Sequence, residues 1–226
     1  MAAVEARRLV RMEDLEKKPG AKILDILRKH HAHATFFVLG ANAENEPSLL
    51  RRIVAEGHEL GSHTFTHGNL AMMPDGQIKL ELNATQRVIQ NAMGRSTVLF
   101  RPPYNADTHP KELAQLHSLQ VAQSLGYLTV LECIDPQDWD LPGTEEIIRR
   151  VQASVSEGTI LLLHDEGGAR SQTVEALPQI LDFFARQNVK VVSIADLLGT
   201  TRDGLMPPVA GKGNGGIAGF VRCLGF

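Results

Sequence analysis

The chain has 226 residues, of which 43% are hydrophobic and 22% are charged, a composition that excludes an intrinsically disordered chain. Its 23 basic and 26 acidic residues give a net charge of −3, so nothing in the charge balance favours nucleic acid as a partner. Two cysteines, Cys133 and Cys223, exclude a disulfide scaffold. Residues 1–18 lack the apolar run of a signal peptide, and no run reaches the roughly 18 apolar residues expected of a transmembrane helix.

Short apolar runs alternate along the chain with stretches of helical period. Helical stretches are predicted to begin near Ala21, Pro47, Asp75, Thr144 and Val174. Strands alternating regularly with helices are typical of an α/β protein with a parallel sheet, either open or closed into a barrel. The predicted strands are Thr35–Leu39, Glu59–Ser62, Val98–Arg101, Tyr127–Leu131, Thr159–Leu163 and Val189–Val192.

The alternation breaks before the first helix, which should follow a strand. The preceding residues offer only Leu9 and Val10 between arginines, so the first strand is predicted to be poor or missing. The last stretch is rich in glycine and proline and is typical of a linker or tail. We therefore divide the chain into an atypical N-terminal segment (1–20), one domain (21–199) and a tail or truncated linker (200–226), which would fit a piece of a longer protein.

Polar residues follow four of the predicted strands at the point where each strand ends. Because the carboxyl ends of parallel strands meet at one edge, these residues predict a single active site there. They are His63 and His67, Arg101 and Tyr104, Asp138 and Trp139, and His164.

His63 and His67 are four residues apart, a spacing that places both imidazoles on one face of a turn as two ligands of one metal require. Zinc or a similar divalent ion suits nitrogen ligands. A surface or capping histidine pair is the alternative.

The other polar residues leave comparable alternatives. His164 follows an apolar strand and is either structural or a general acid, and a carboxylate such as Asp138 at its ring would fix the tautomer. Arg101 precedes two prolines and either orients a carboxylate or forms a plain salt bridge. Trp139, the only tryptophan, either walls a sugar site or belongs to the core.

Taken together and in this order, these clusters resemble the motifs of the polysaccharide deacetylases, the NodB-homology group known as carbohydrate esterase family 4. His63–His67 resembles the motif H[ST]xxH, Arg101–Tyr104 resembles RxPPY, Asp135–Trp139 resembles DxxDW and Leu161–His164 resembles LxxH. The similarity covers about residues 21–198. Further along, Gly199–Val209 resembles the junction at which such deacetylases are fused to a membrane glycosyltransferase.

The resemblance implies a distorted (β/α) barrel that removes acetyl groups from glycans such as chitooligosaccharides or peptidoglycan. The implied cofactor is a divalent metal, zinc first and cobalt, nickel or manganese next. Family members usually act outside the cytoplasm, in the cell envelope. The implied roles are metal ligands at His63 and His67, a general acid at His164 supported by Asp138, a holder of the catalytic base at Arg101, an oxyanion-binding backbone N–H at Tyr104, and an acetyl pocket lined by Trp139 and Leu161.

The family's first motif, TFDDGP, which supplies the base and the third metal ligand, is absent. The nearest carboxylates, Glu13 and Asp14, lack the flanking residues of that motif. Three hypotheses follow: a deacetylase with reduced activity, a non-catalytic glycan- or metal-binding relic, and a related barrel amidohydrolase acting on a small N-acyl or ureido compound.

Overall fold

A computed structural model describes residues 18–104, 113–132, 134–155 and 160–209. Four parallel strands lie in one sheet in the order β1-β2-β3-β4. The strands are β1 (Thr35–Val38), β2 (Glu59–Ser62), β3 (Leu99–Phe100) and β4 (Leu128–Thr129).

Helices separate the strands, as the sequence predicts for a parallel sheet. Three-residue 3₁₀ helices add Leu70–Met72 and Asp138–Asp140. The α-helices are α1 (Pro19–Lys29), α2 (Gly40–Ala43), α3 (Pro47–Ala55), α4 (Asp75–Met93), α5 (Leu113–Ser124), α6 (Thr144–Ser154), α7 (Ser171–Arg186), α8 (Ile194–Leu197) and α9 (Arg202–Leu205).

Apolar side chains at helical spacing explain how these helices form and pack. In α1, a proline in the first turn is followed by Ile23, Leu24 and Leu27, all of which are buried. Helices α6 and α7 pack against each other through a cluster that includes Ile147, Val151 and Ile180. Burial of these apolar faces, more than intrinsic propensity, stabilises the helices.

The register of the strands brings their following residues to one edge of the sheet. Ser62 pairs with Phe100, and Phe100 pairs with Thr129. The residues that come next, His63 after β2 and Arg101 after β3, therefore emerge side by side. This is the edge at which the sequence predicts the active site.

Two predicted strands do not form as regular strands. Within Thr159–Leu163, the described residues make a single bridge, between Leu161 and Ile134. Val189–Val192 has no strand pairing, because the turn before β1 offers only the N–H of His33, which lies 3.5 Å from the Val191 carbonyl. The backbone of each segment thus meets too few partners for a ladder.

The predicted boundary after residue 199 is also too early. Helix α9 follows it, Met206 is fully buried, and the Leu60 N–H lies 3.2 Å from the Met206 sulfur. The packed chain therefore continues to Val209. The predicted N-terminal segment, and with it the predicted poor or missing first strand, falls mostly on residues 1–17, which lie outside the described residues.

Among the described residues, no helix has the length and apolar character needed to cross a membrane.

Candidate active site

The two histidines of the predicted metal pair lie together after β2. The rings of His63 and His67 meet edge to face, with their centroids 4.9 Å apart and their planes at 73°. The structure thus brings together the two imidazoles that the spacing predicts on one face of a turn.

The hydrogen bond at His63 defines which nitrogen is free. Nδ1 lies 2.8 Å from the carbonyl oxygen of Arg101, and a carbonyl only accepts, so Nδ1 carries the proton. The lone pair of Nε2 is therefore available to a metal. Histidines that bind a metal through one ring nitrogen ordinarily donate a hydrogen bond from the other nitrogen, as Nδ1 does here.

Burial keeps both imidazoles in the neutral form that a ligand needs. It lowers the pKa of His63 to about 4, opposed by the hydrogen bond to Arg101 and assisted by repulsion from the neighbouring His67. Burial also lowers the pKa of His67.

Arg101 is held by an acidic partner that the sequence motifs do not contain. Its guanidinium Nη2 lies 2.6 Å from Glu132 Oε2, and each side chain is only 7% exposed. Glu132 follows β4, the strand next to β3, so the same edge of the sheet supplies both charges. In the sequence, the one feature that points to Glu132 is its position directly after the predicted strand Tyr127–Leu131, because the other candidate site residues also follow strands.

His164 is bound by a buried carboxylate, as the sequence predicts. Asp138 Oδ1 lies 2.7 Å from His164 Nδ1, and Asp138 Oδ2 accepts hydrogen bonds from the backbone N–H of His164 and the hydroxyl of Thr173. Complete burial raises the pKa of Asp138, but these hydrogen bonds outweigh it and the pKa lies below its usual value. Thr173, which lies on α7, is a supporting residue that the motifs do not reveal.

The imidazole of His164 presents its other nitrogen outward. Asp138 is an acceptor-only carboxylate, so it fixes the proton on Nδ1 and leaves Nε2 for exchange with a substrate. The side chain of His164 is 32% exposed, whereas Asp138 has no exposed surface. This arrangement is suited to general acid–base chemistry.

The predicted substrate-contacting residues occupy different surroundings. Tyr104 is 54% exposed, and its ring lies 4.9 Å from that of His67. Trp139 is 49% exposed, and its indole N–H lies 3.5 Å from Asp135 Oδ2. Leu161 pairs with Ile134 and packs against the α6–α7 cluster. Tyr104 therefore lies directly beside the histidine pair, whereas Leu161 is half-buried against the α6–α7 cluster.

Backbone strain is concentrated in the site motifs. Thr64, His67, Tyr104 and Gln137 all have a positive φ, between 56° and 70°. This conformation is unfavourable for residues other than glycine, and it persists where surrounding contacts enforce it.

The histidine pair fits two of the ligands of a divalent metal, through the free Nε2 of His63 and the neighbouring ring of His67. Within the described ranges, no group of three or more histidine, cysteine, aspartate or glutamate residues is close enough to complete such a site. Glu13 and Asp14, the carboxylates nearest to the absent first motif, lie outside the described residues.

Comparisons with known proteins agree with the motifs. A family model described as polysaccharide deacetylase matches residues 13–130. The chain is 35% identical over 181 residues to a peptidoglycan-N-acetylglucosamine deacetylase of Bacillus cereus, with 78% of this chain and 80% of that protein covered. It is 32% identical over 187 residues to a chitooligosaccharide deacetylase of Bradyrhizobium sp. (strain ANU 289), with 77% and 82% covered.

A solved structure of the same fold extends the comparison. BA3943 from Bacillus anthracis, described as a pseudoenzyme of carbohydrate esterase family 4, has a TM-score of 0.70 and 28% identity over 80% of this chain and 60% of that one. A mutant of BA3943 described as having restored enzymatic activity has a TM-score of 0.71. The distorted-barrel architecture predicted from the motifs is thereby confirmed.

Proposed function

Because this chain belongs to the polysaccharide deacetylase family, we propose that it is a metal-dependent hydrolase that removes N-acetyl groups from N-acetylglucosamine-containing glycans. The observation that carries the proposal is the Thr173–Asp138–His164 chain of hydrogen bonds, which ends on an accessible imidazole beside the strand edge. The relatives named above are peptidoglycan-N-acetylglucosamine and chitooligosaccharide deacetylases, which supports N-acetylated glycans as the substrate class.

Cleavage of an amide requires a proton for the leaving nitrogen, and His164 is the proposed general acid. Asp138 holds Nδ1 at 2.7 Å, so the proton to be delivered is on Nε2. The Asp138 charge also stabilises the imidazolium before transfer, and Thr173 satisfies the second carboxylate oxygen. A positioned acid of this kind contributes about 10²- to 10⁴-fold to the rate.

His63 and His67 are the proposed metal ligands. When bound, a divalent ion such as zinc supplies Lewis-acid polarisation of the acetyl carbonyl. The residues themselves contribute neutral imidazoles: burial keeps the pKa of His63 near 4, and the Arg101 carbonyl orients its ring.

Glu132 is the proposed base in place of the absent first motif. The family resemblance assigns to Arg101 the task of holding the base, and among residues 18–104, 113–132, 134–155 and 160–209 the carboxylate paired with Arg101 is that of Glu132. The ion pair fixes the carboxylate, and the low solvent exposure of both side chains limits competing hydration.

The exposed aromatic side chains are the proposed sugar contacts. Tyr104 lies against His67, and Trp139 follows Asp138 directly, so both flank the groups proposed for chemistry. The backbone N–H of Tyr104 is the proposed donor to the oxyanion, because Tyr104 lies beside His67 and its φ of 57° is a strained conformation of the kind found at functional sites.

A second candidate function is a non-catalytic glycan- or metal-binding protein. Two observations favour it: the TFDDGP motif is absent from the sequence, and the family includes the structurally similar pseudoenzyme BA3943. In this case the histidine pair would still bind metal, but acetate would not be released.

Acetate release distinguishes these functions. The purified chain, loaded with zinc, would be incubated separately with N-acetylglucosamine oligomers, with peptidoglycan fragments, and with small N-acyl and ureido compounds. The proposal predicts acetate from the glycans and no turnover of the small compounds. Turnover of the small compounds alone would identify an amidohydrolase of another substrate class, and absence of acetate with metal bound would favour the non-catalytic function.

A further inference from the structure

The loop that carries the histidine pair is anchored by one buried carboxylate. Glu81 lies on α4 and is 8% exposed. Its Oε2 accepts hydrogen bonds from the backbone N–H groups of Phe65 and Thr66, each at 2.8 Å, and its Oε1 accepts one from the Thr66 hydroxyl at 2.8 Å. All three donors lie between His63 and His67.

The opposite side of the same loop is held by α2. The N–H of Gly40 donates to the Thr64 carbonyl at 2.9 Å, and the N–H of Ala41 donates to the Phe65 carbonyl at 3.1 Å. A Cβ on Gly40 would lie 2.3 Å from the ring of Phe65, so only glycine permits this approach. Carbonyls and amides of the loop are thus held by two different helices.

The loop between His63 and His67 needs these hydrogen bonds because its backbone conformation is unfavourable. Thr64 has a φ of 70° and His67 a φ of 62°, values that residues with a side chain rarely adopt. The Thr64 hydroxyl also accepts a hydrogen bond from the His67 N–H at 3.1 Å. A strained loop keeps its shape only when its contacts over-determine it.

We propose that Glu81 is a positioning residue for metal binding: by holding the backbone between His63 and His67, it sets the separation and direction of the two imidazoles. This inference rests on the proposed role of the histidine pair as metal ligands. Glu81 itself reaches the loop backbone and not the imidazoles, so it acts through the loop. Nothing in the family motifs quoted above includes this residue.

The chemistry of the contact explains why the residue is acidic. Three donors converge on one side chain, and an ionised carboxylate is an acceptor only. In Glu81→Gln, an amide nitrogen that faced the two backbone N–H groups would lose both of those hydrogen bonds, and one that faced the Thr66 hydroxyl would require this hydroxyl to accept instead of donate. In either orientation the remaining contacts lose the negative charge that strengthens them. The volume would remain nearly the same, which makes this variant a test of hydrogen bonding and not of packing.

Cobalt binding tests the inference, because Co²⁺ reports both affinity and ligand geometry through its visible absorption. The full chain, Glu81→Gln, His63→Gln and the control Glu146→Gln would be titrated with Co²⁺, and far-UV circular dichroism would verify folding. Glu146 lies on α6 and forms ion pairs with Arg149 and Arg150. Removal of a residue that orients metal ligands is expected to weaken Co²⁺ binding about 10- to 100-fold and to change the absorption band. The control Glu146→Gln is expected to have the Co²⁺ affinity and the absorption band of the unaltered chain.

The outcomes separate the two proposals. If the unaltered chain binds no Co²⁺, the proposed metal site itself is wrong. If it binds Co²⁺ and Glu81→Gln gives the same affinity and spectrum, the positioning role is overturned while the metal site stands.

Thr66→Val covers the case in which Glu81→Gln does not fold. This variant removes only the hydroxyl contact to Oε1 and leaves both backbone contacts in place. A weaker Co²⁺ affinity with a folded spectrum supports the inference, and an unchanged affinity contradicts it.

Discussion

Two histidine pairs lie at opposite ends of the parallel strands and look alike in ring geometry. At the carboxyl ends, His63 and His67 meet edge to face at 4.9 Å and 73°. At the amino ends, His33 and His58 meet edge to face at 5.7 Å and 71°. The distance between the rings alone would predict a metal site at each pair.

The backbone partner of each ring separates them. His63 Nδ1 donates to the Arg101 carbonyl, which leaves the Nε2 lone pair free. His58 Nδ1 accepts from the Ala34 N–H at 3.2 Å, so the proton of the neutral ring is on Nε2, which is buried without a hydrogen-bond partner among the described residues. The comparison teaches that the tautomer, which the backbone dictates, decides whether a histidine pair can bind a metal.

Replacing His164 should have the largest effect. Glutamine at this position cannot act as a general acid, so acetate release from N-acetylglucosamine oligomers should fall by up to about 10⁴-fold. Co²⁺ affinity should be unchanged, because His164 is not a proposed ligand. The matched control His33→Gln, at the amino ends of the strands, should keep both the turnover and the Co²⁺ affinity of the unaltered chain. Turnover by His164→Gln within a few-fold of the unaltered chain would contradict the acid assignment.

Glu132→Gln should have the next largest effect on turnover. The variant removes the carboxylate held by Arg101 but keeps an oxygen at a similar position. Loss of a general base, partly replaced by water, should lower acetate release about 10²-fold while metal stays bound. A variant with a lower melting temperature but ordinary turnover would show that the ion pair is structural.

The His33–His58 pair at the amino ends of the strands should affect the stability of the fold and not the turnover. Burial is the main cause that lowers the pKa of His58 from 6.5 to about 4, with repulsion from His33 contributing. Between these pH values the unfolded chain binds a proton that the folded chain does not, so the free energy of unfolding falls as the pH is lowered through this window. At 1.36 kcal/mol per pH unit, the loss from this residue is at most about 3 kcal/mol.

His58→Asn isolates this contribution. The amide oxygen of asparagine can accept the Ala34 N–H in place of Nδ1, and it does not titrate. Urea unfolding between pH 7 and pH 4 should therefore show a shallower pH dependence in the variant. Part of the dependence should persist, because His63 shifts in the same direction. Identical pH profiles for both chains would contradict the assignment to His58.

The sequence predicts the site better than it predicts the edges of the fold. Helix α4 and strand β2 form with the predicted bounds. In α4, Ile78, Leu82 and Ile89 recur at helical spacing, and all three are buried. Four motifs follow strands, and the register of a parallel sheet necessarily brings such residues to one edge. The sequence therefore predicts that His63 and Arg101 lie close together.

The remaining features depend on contacts between distant segments. Glu132 has no motif of its own, and only the pairing of β3 with β4 makes it the partner of Arg101. Met206 lies in a Gly- and Pro-rich stretch, and its burial against Leu60 is a contact across 146 positions. Neither local periodicity nor composition contains this information.

Metal stoichiometry in three chains tests the central claim most directly. The unaltered chain, His63→Gln and His33→Gln would each be incubated with zinc, freed of excess metal and analysed for bound zinc per chain. One zinc per chain is expected in the unaltered chain and in His33→Gln, and none is expected in His63→Gln. If zinc stays bound in His63→Gln, or is lost in His33→Gln, the pair His63 and His67 is not the metal site.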